Sequence, residues 1–397
     1  MSGIRVIKVV PTLLCGGTET QFMTLARALD PDRFALRFAC LRKWGPFVDE
    51  LSARSIPLEE YGVTTFRSWR ALRQQARFAR DVRHHGIDIV HTYSFYGNVF
   101  AVPPGRVAAP VVVASIRDRG LYLTPLQQRV QRHVCRLADR VLVNAEAVKS
   151  WLVGDGFAAE RITVIPNGID TTRFHAPADP IAVRRSLGLA DDARLVAVVS
   201  RLHRLKGIED FLEAAAMIAA AHPDVRFLII GEPSPVDNIA YRDELVQHAN
   251  RLGIGDRVLF TGLRADVPEL LAAVNVSVMP SLNEALSNVL LESMAAGAPV
   301  VATDVGGTTE ALLHERNGLL IAPADPPAMA AAIERLLLKP EFARGLGMKA
   351  RQAIAERFSL ERMVAATAHV YEDLLERKQR KPAAPRNMRQ LRGRGAA

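Results

Sequence analysis

Short runs of β-branched and other apolar residues alternate along the chain with longer segments whose apolar positions recur at three- and four-residue steps. This is the pattern of a parallel sheet covered by helices. In the first half it predicts strands over 5–10, 34–41, 88–92, 111–115, 140–144 and 162–165, with helices over 18–29, 68–85 and 125–137. The pattern then restarts, with strands over 195–200, 226–230, 258–260, 276–279, 300–302 and 318–321. Between the halves lie Pro166-Asn167-Gly168-Ile169-Asp170, Pro177 and Pro180, the chemistry of turns and an irregular linker, which puts a boundary near residue 175. No sequence repeat of solenoid length interrupts this order. The reading is α/β: two Rossmann-like domains, 1–175 and 176–358, facing each other across a cleft. Open sheets of this kind bind ligands beyond the carboxyl ends of their strands.

Length agrees, because 397 residues exceed one ordinary core. Cys15, Cys40 and Cys135 are scattered and odd in number, which favours a reducing compartment over a disulfide framework. The first residues form a short strand-like run broken by charge rather than a signal peptide. No stretch approaches the ~18 apolar residues that span a bilayer, so a cytoplasmic location is expected. The net charge of +9 is uneven: +8 over 1–180, −7 over 181–376 and +8 over the tail 377–397, read as basic and disordered. Arg67, Arg70, Arg73, Arg77, Arg80 and Arg83 fall on one helical stripe beside Trp69, Leu72, Ala76 and Ala79. Arg129, Arg132, Arg136 and Arg140 repeat that spacing. Together with the tail, these stripes suit peripheral contact with an anionic membrane surface. A helix packing its apolar stripe on its own sheet has the same pattern.

Three segments carry candidate chemistry. Gly16-Gly17-Thr18-Glu19 follows the first strand and opens the first helix, where small residues let backbone N–H groups approach a phosphate or sugar. A plain strand-to-helix turn also accounts for it. In the second half, Ser200-Arg201-Leu202-His203-Arg204-Leu205-Lys206-Gly207 occupies the corresponding place. Its Arg201 and Lys206 suit a cation pair gripping a leaving diphosphate, and a solvated basic loop is the alternative. The third segment runs from Pro280 to Gly297 and carries Glu284 after a strand and Glu292 inside an otherwise apolar helix. Eight helical residues span roughly 12 Å, too far for a close carboxylate dyad but suited to opposite ends of one extended ligand. Asn288 lies one turn before Glu292, beside the free N–H groups of the helix start.

With these residues in order, the sequence resembles the retaining glycosyltransferases of family 4, which have the GT-B fold. The pair Glu284/Glu292, Gly297-Ala298-Pro299-Val300-Val301-Ala302-Thr303, Gly306-Gly307, Arg201/Lys206 and Pro166-Asn167-Gly168-Ile169-Asp170 carry the resemblance, which runs from about residue 4 to 376. It implies hexosyl transfer from a nucleotide-diphosphate sugar to a glycan or lipid-linked acceptor, with a role in cell-surface polysaccharide or glycoconjugate synthesis. It also implies that Gly16 and Gly17 line the cleft, Arg201 and Lys206 bind the diphosphate, Glu284 holds sugar hydroxyls and Glu292 binds the ribose. Leu286, Ser287 and Asn288 would stand alongside, with Gly262, Leu263 and Arg264 near the base. A helix over 359–376 would return to pack on the first domain.

One departure stands out. Many members carry a histidine about where this chain reads Ser115-Ile116-Arg117-Asp118. Arg117 and Asp118 are the acceptor-side substitutes, or else simply pair with each other. His91, ending a strand, is the remaining candidate, with a satisfied buried histidine as the alternative. The resemblance implies no cofactor beyond the donor co-substrate and no metal. Asp30-Pro31-Asp32 has the Asp-x-Asp form, but its place after a helix and its proline read as a turn. An epimerase of the same fold shares the diphosphate site and remains open on fold alone. A nucleotide- or RNA-binding protein is disfavoured, since no aromatic stacking cluster accompanies the arginines.

Overall fold

The computed structural model describes residues 3–54, 56–121, 123–174, 179–235 and 237–380; Pro177 and the tail from 381 to 397 lie outside the described residues. The first sheet contains β1 (Ile4–Val10), β2 (Phe34–Cys40), β3 (Leu58–Glu60), β4 (Ile89–Tyr93), β5 (Val111–Ser115), β6 (Arg140–Val143) and β7 (Ile162–Val164). Its order is β3-β2-β1-β4-β5-β6-β7. The second contains β8 (Arg194–Val199), β9 (Val225–Ile230), β10 (Val258–Gly262), β11 (Val276–Met279), β12 (Val300–Thr303) and β13 (Leu319–Ile321), ordered β10-β9-β8-β11-β12-β13. Both sheets are parallel throughout, with Val6 opposite Ile89 in the first and Val276 opposite Val196 in the second. These are two Rossmann-like domains facing each other across a cleft.

Parallel strands are covered on both faces, which is why they read as nearly unbroken apolar runs. β5, Val111 to Ser115, is buried at every position. Helices between strands then have one face to bury, and local caps fix where they begin. Thr124 and Gln127 form a capping box at the helix Pro125–Cys135, and Asp325 caps Ala328 at the start of Pro326–Leu338.

Four elements escape the hydrophobic pattern: β3 and the helices Phe47–Ala53, Ser94–Ala108 and Glu146–Gly154. β3 has only three residues. The helix Ser94–Ala108 contains Pro103 and Pro104, and its Gly105 packs against Val90 and Val112, so burial holds it where propensity argues against it.

The last helix, Leu360–Arg380, returns to the first sheet, where Met363, Tyr371 and Leu374 join Val6, Leu25, Phe34 and Val113 in one core cluster. It runs past the expected tail boundary at 377, because i,i+4 pairs Asp373–Arg377 and Glu376–Arg380 carry its last turns.

The strand order of each sheet reverses beside its first strand, at β1/β4 and at β8/β11. Crevices open at such points.

Candidate active site

The cleft lies between these two switch points. From the first domain it is lined by Gly16, Gly17, Glu19, Arg117 and Asp118, which follow β1 and β5. From the second come Arg201 and Lys206 after β8, and Ser281 through Asn288 after β11.

Glycines hold the second-domain loops in place. Gly207 adopts φ +61°, and a β-carbon there would collide with the Pro280 carbonyl oxygen. Gly306, at φ +55°, sits equally tightly against the carbonyl oxygen of Glu284. The two backbones flanking Glu284 are thereby fixed without spending side-chain volume in the cleft.

Lys206 Nζ forms an ion pair with Glu284 Oε1, and Ser281 Oγ donates to the same oxygen at 2.9 Å. Arg201 Nε lies 3.4 Å from Asp237 Oδ2. Each cation is therefore held by a carboxylate while retaining a place on the cleft wall, suited to receiving an anionic group. Leu286 and Ser287 continue the wall, and Ser287 Oγ accepts from Leu290 N–H at 3.3 Å to cap the helix Asn288–Ala295. That helix begins at Asn288, so Glu284 belongs to the loop and only part of the Glu284–Glu292 spacing is helical.

Asn288 joins the two domains. Its Nδ2 donates to the Gly17 carbonyl at 3.1 Å, and its Oδ1 accepts from Asn167 Nδ2 at 2.6 Å and Gln21 Nε2 at 3.2 Å. Asn167 also accepts from Arg117 and donates to the Leu286 carbonyl at 2.9 Å. Gln21 exchanges two hydrogen bonds with the backbone of Gly168. A chain of side-chain amides thus fixes Arg117 against the second domain.

Arg117 and Asp118 both face the cleft and do not pair with each other. Asp118 accepts from Gly120 N–H at 2.7 Å, and burial raises its carboxyl above the ordinary range despite that bond. Burial lowers the Arg117 guanidinium from its usual value, partly offset by Tyr93 and Glu19. Glu19, present in the Gly-Gly-Thr-Glu motif but not singled out from sequence, is raised chiefly by burial, with Arg201 and Arg117 acting in the opposite direction. It therefore stands between cations of the two domains. Its signal was its place in the first turn of the helix Gly17–Ala28.

Other expected residues fall outside the cleft lining. Glu292, one turn beyond Asn288, is half-buried; burial pushes its carboxyl up to about 7, and Arg173 pulls the other way. Gly262 ends β10, the outer strand of the second sheet, and Leu263 and Arg264 follow it. Leu263 is exposed, and Arg264 pairs with Asp266 at 2.6 Å.

His91 requires correction as an acceptor-side candidate. It is buried, with Nδ1 2.5 Å from Tyr371 Oη and Nε2 2.8 Å from Ser115 Oγ. Burial, then Lys8 and Arg117, hold its pKa well below the ordinary value, so the ring stays neutral within the core.

Asp30-Pro31-Asp32 forms a turn in which Asp30 Oδ1 accepts Asp32 N–H at 2.9 Å, at the amino end of β2 and away from the cleft. Among the described residues, no group of three or more His, Cys, Asp and Glu side chains could hold a metal ion.

The arginine stripe also needs revision. On the helix Trp69–His84, Ala79 is buried with Phe78 and Val82, and Arg77 is tied to Glu59. Trp69, Leu72, Arg73, Ala76, Arg80 and Arg83 do face outward. No described helix is long and apolar enough to cross a membrane.

Two family models match the chain: one described as Glycosyltransferase Family 4, over residues 15–173, and one described as Glycosyl transferases group 1, over 193–339. A D-inositol 3-phosphate glycosyltransferase of Acidothermus cellulolyticus is 34% identical over 310 residues, covering 72% of this chain and 67% of the relative. The lipopolysaccharide core biosynthesis mannosyltransferase LpsB of Rhizobium meliloti is 34% identical over 220 residues, covering 54% and 61%. Among solved structures, Anabaena HepE in complex with UDP-glucose matches with TM-score 0.84 at 25% identity, over 93% of this chain and 100% of that one.

Proposed function

The chain belongs to glycosyltransferase family 4 and has its GT-B architecture, and from that premise we propose that it transfers a hexosyl group, with retention of configuration, from a nucleotide-diphosphate sugar to a glycan or lipid-linked acceptor. The observation that carries this reading is the Lys206–Glu284 pair beside Arg201, at the switch point of the second sheet. A donor laid along that wall exchanges the carboxylate partners of Lys206 and Arg201 for its own diphosphate. The charge growing on the leaving phosphate is then met by two preorganised cations. Glu284, released from Lys206, is free to accept hydroxyls of the transferred sugar. In this scheme Glu292 is assigned to the ribose and the loop at Gly262, Leu263 and Arg264 to the base. Retention follows when the acceptor attacks from the face the diphosphate leaves, with the leaving phosphate taking its proton. No cofactor or metal is required in this scheme.

Acceptor-side recognition falls to Arg117, Asp118 and Glu19. Exposed apolar side chains ring this end of the first sheet: Trp69, Leu72, Tyr96, Leu121 and Leu126 all follow the carboxyl ends of its strands. Tyr96 stacks on Phe66 with ring centroids 6.2 Å apart. Such a rim suits an acceptor carried on lipid and contact with the surface of a membrane. On this reading the enzyme acts in the assembly of cell-surface polysaccharide or glycoconjugate, from the cytoplasmic face.

The test is a panel of nucleotide sugars, beginning with UDP-glucose, scored for binding and slow donor hydrolysis by the wild-type protein and by Lys206→Ala. Saturable binding and hydrolysis of one donor, lost in the variant, is expected. Equal hydrolysis by both proteins would remove the site assignment.

A further inference from the structure

A second concave site lies at the other end of the first domain. Arg140 opens β6 and Arg161 immediately precedes β7, so the site sits at the amino ends of parallel strands whose carboxyl ends face the cleft. Arg106, Asp139 and the end of the last helix complete its walls, with Arg377, Lys378 and Arg380 projecting from that helix.

Six cations and one carboxylate line this cavity. Asp139 lies 2.6 Å from Lys378 Nζ and 3.6 Å from Arg106 Nη1, and it also accepts Val112 N–H at 2.9 Å. Arg377 pairs with Asp373 at 2.8 Å and Arg380 with Glu376 at 3.3 Å. Three carboxylates therefore face six cations, leaving an excess of three positive charges. Arg140 and Arg161 reach only backbone carbonyls among the described residues: Arg140 Nη1 donates to Glu160 at 2.7 Å, and Arg161 to Arg136 at 2.9 Å and to Ala138. Arg140 Nε is buried and has no hydrogen-bond partner among the described residues. A buried donor left unsatisfied is destabilising, so its presence in the wall of a cationic cavity favours an anionic acceptor.

We propose that this cavity is a binding site for a phosphate-rich anion, of the diphosphate class in charge and size, separate from the sugar-transfer cleft. Guanidinium groups converging from two strands and a helix end match phosphate oxygens through paired N–H donors, and the charge excess matches a diphosphate. Free diphosphates and phospholipid headgroups share this chemistry.

The test uses the full-length protein carrying Arg201→Ala and Lys206→Ala, which removes the two cleft cations contributed by the second domain and leaves Arg117, so failure of the donor-site reading leaves the result intact. Inorganic pyrophosphate is titrated calorimetrically, and vesicles of phosphatidylglycerol with phosphatidylcholine are sedimented with the protein at about 0.1 M salt. Each measurement is repeated after adding Arg377→Gln and Lys378→Gln, both on the helix surface, and after Arg344→Gln with Lys349→Gln, a charge-matched control on the exposed face of another helix. Saturable pyrophosphate binding weakened at least tenfold by the paired change, and unmoved by the control, is expected and identifies a free diphosphate. Vesicle binding with that same dependence, without pyrophosphate saturation, identifies a headgroup as the source. Arg140→Gln, checked for folding by its melting curve, supplies an independent variant. Absence of both kinds of binding, or equal losses in the paired variant and the control, overturns the proposal.

Discussion

Glu310 of the second domain accepts the backbone N–H of Ala147 in the first at 3.0 Å, and that of Glu146 at 2.9 Å with its other oxygen. A carboxylate from one domain thus caps the helix Glu146–Gly154 of the other, where unsatisfied N–H groups and the helix dipole both favour negative charge. A β-carbon on nearby Gly307 would press on the Ala145 methyl group, so the two domains already pack closely at this point.

Removing that cap should loosen the closed arrangement. Glu310→Ala is expected to cost about 1–2 kcal/mol in denaturant unfolding. It should raise the KM for donor more than it lowers kcat, since the residue is remote from the diphosphate wall. Unchanged stability and KM would mean that the contact is energetically idle.

The two cleft cations should act on turnover. Arg201→Ala or Lys206→Ala is expected to raise the transfer barrier by about 2–4 kcal/mol. Glu284→Ala should also suppress transfer while nucleotide diphosphate affinity holds or increases, because Lys206 loses its competing carboxylate. Calorimetry with the nucleotide diphosphate beside initial-rate assays separates these outcomes, and wild-type rates in either cation variant would contradict the assignment.

Glu292 makes stability depend on pH. Burial holds its carboxyl at about 7 in the folded chain, above the ordinary value of 4.5. The folded state therefore holds a proton that the unfolded state has released, and its stability falls as pH rises from about 4.5 to about 7. Unfolding curves across that window should be steeper in pH for the wild type than for Glu292→Gln. Parallel curves would show that the carboxyl is not perturbed.

Glu19 stands between Arg117 and Arg201 with its carboxyl raised by burial. Glu19→Gln should alter the acid limb of the kcat/KM profile for transfer while leaving donor hydrolysis nearly unchanged, if the residue serves the acceptor side. A profile identical to wild type, at undiminished rate, would remove it from the acceptor site.

With the diphosphate charge met by side-chain cations, activity is expected to persist in excess chelator. Loss of transfer that magnesium or manganese restores would overturn this part of the scheme.

Much of this architecture was legible in order and spacing. Parallel strands covered on both faces are largely apolar, so β5 and the six strands of the second sheet are visible as runs. Arg201, Lys206, Glu284 and Asn288 were equally legible, because strand-to-helix loops place them at carboxyl ends of strands wherever such a sheet forms. Sequence could not reveal the helix Ser94–Ala108, whose prolines and glycines are tolerated only because Val90 and Val112 pack against it. Nor could it separate His91, sealed between Tyr371 and Ser115, from Arg117, which faces the cleft a few residues past the neighbouring strand. His91 lies in the middle of β4 and Arg117 two residues past β5, and only the helix returning with Tyr371 decides that one is core and the other lines the cleft. The Asn167–Asn288–Gln21 contacts and the Glu310 cap join residues more than a hundred positions apart. Such bonds leave no local periodicity, since their geometry comes from the packing of two domains rather than from either chain segment alone.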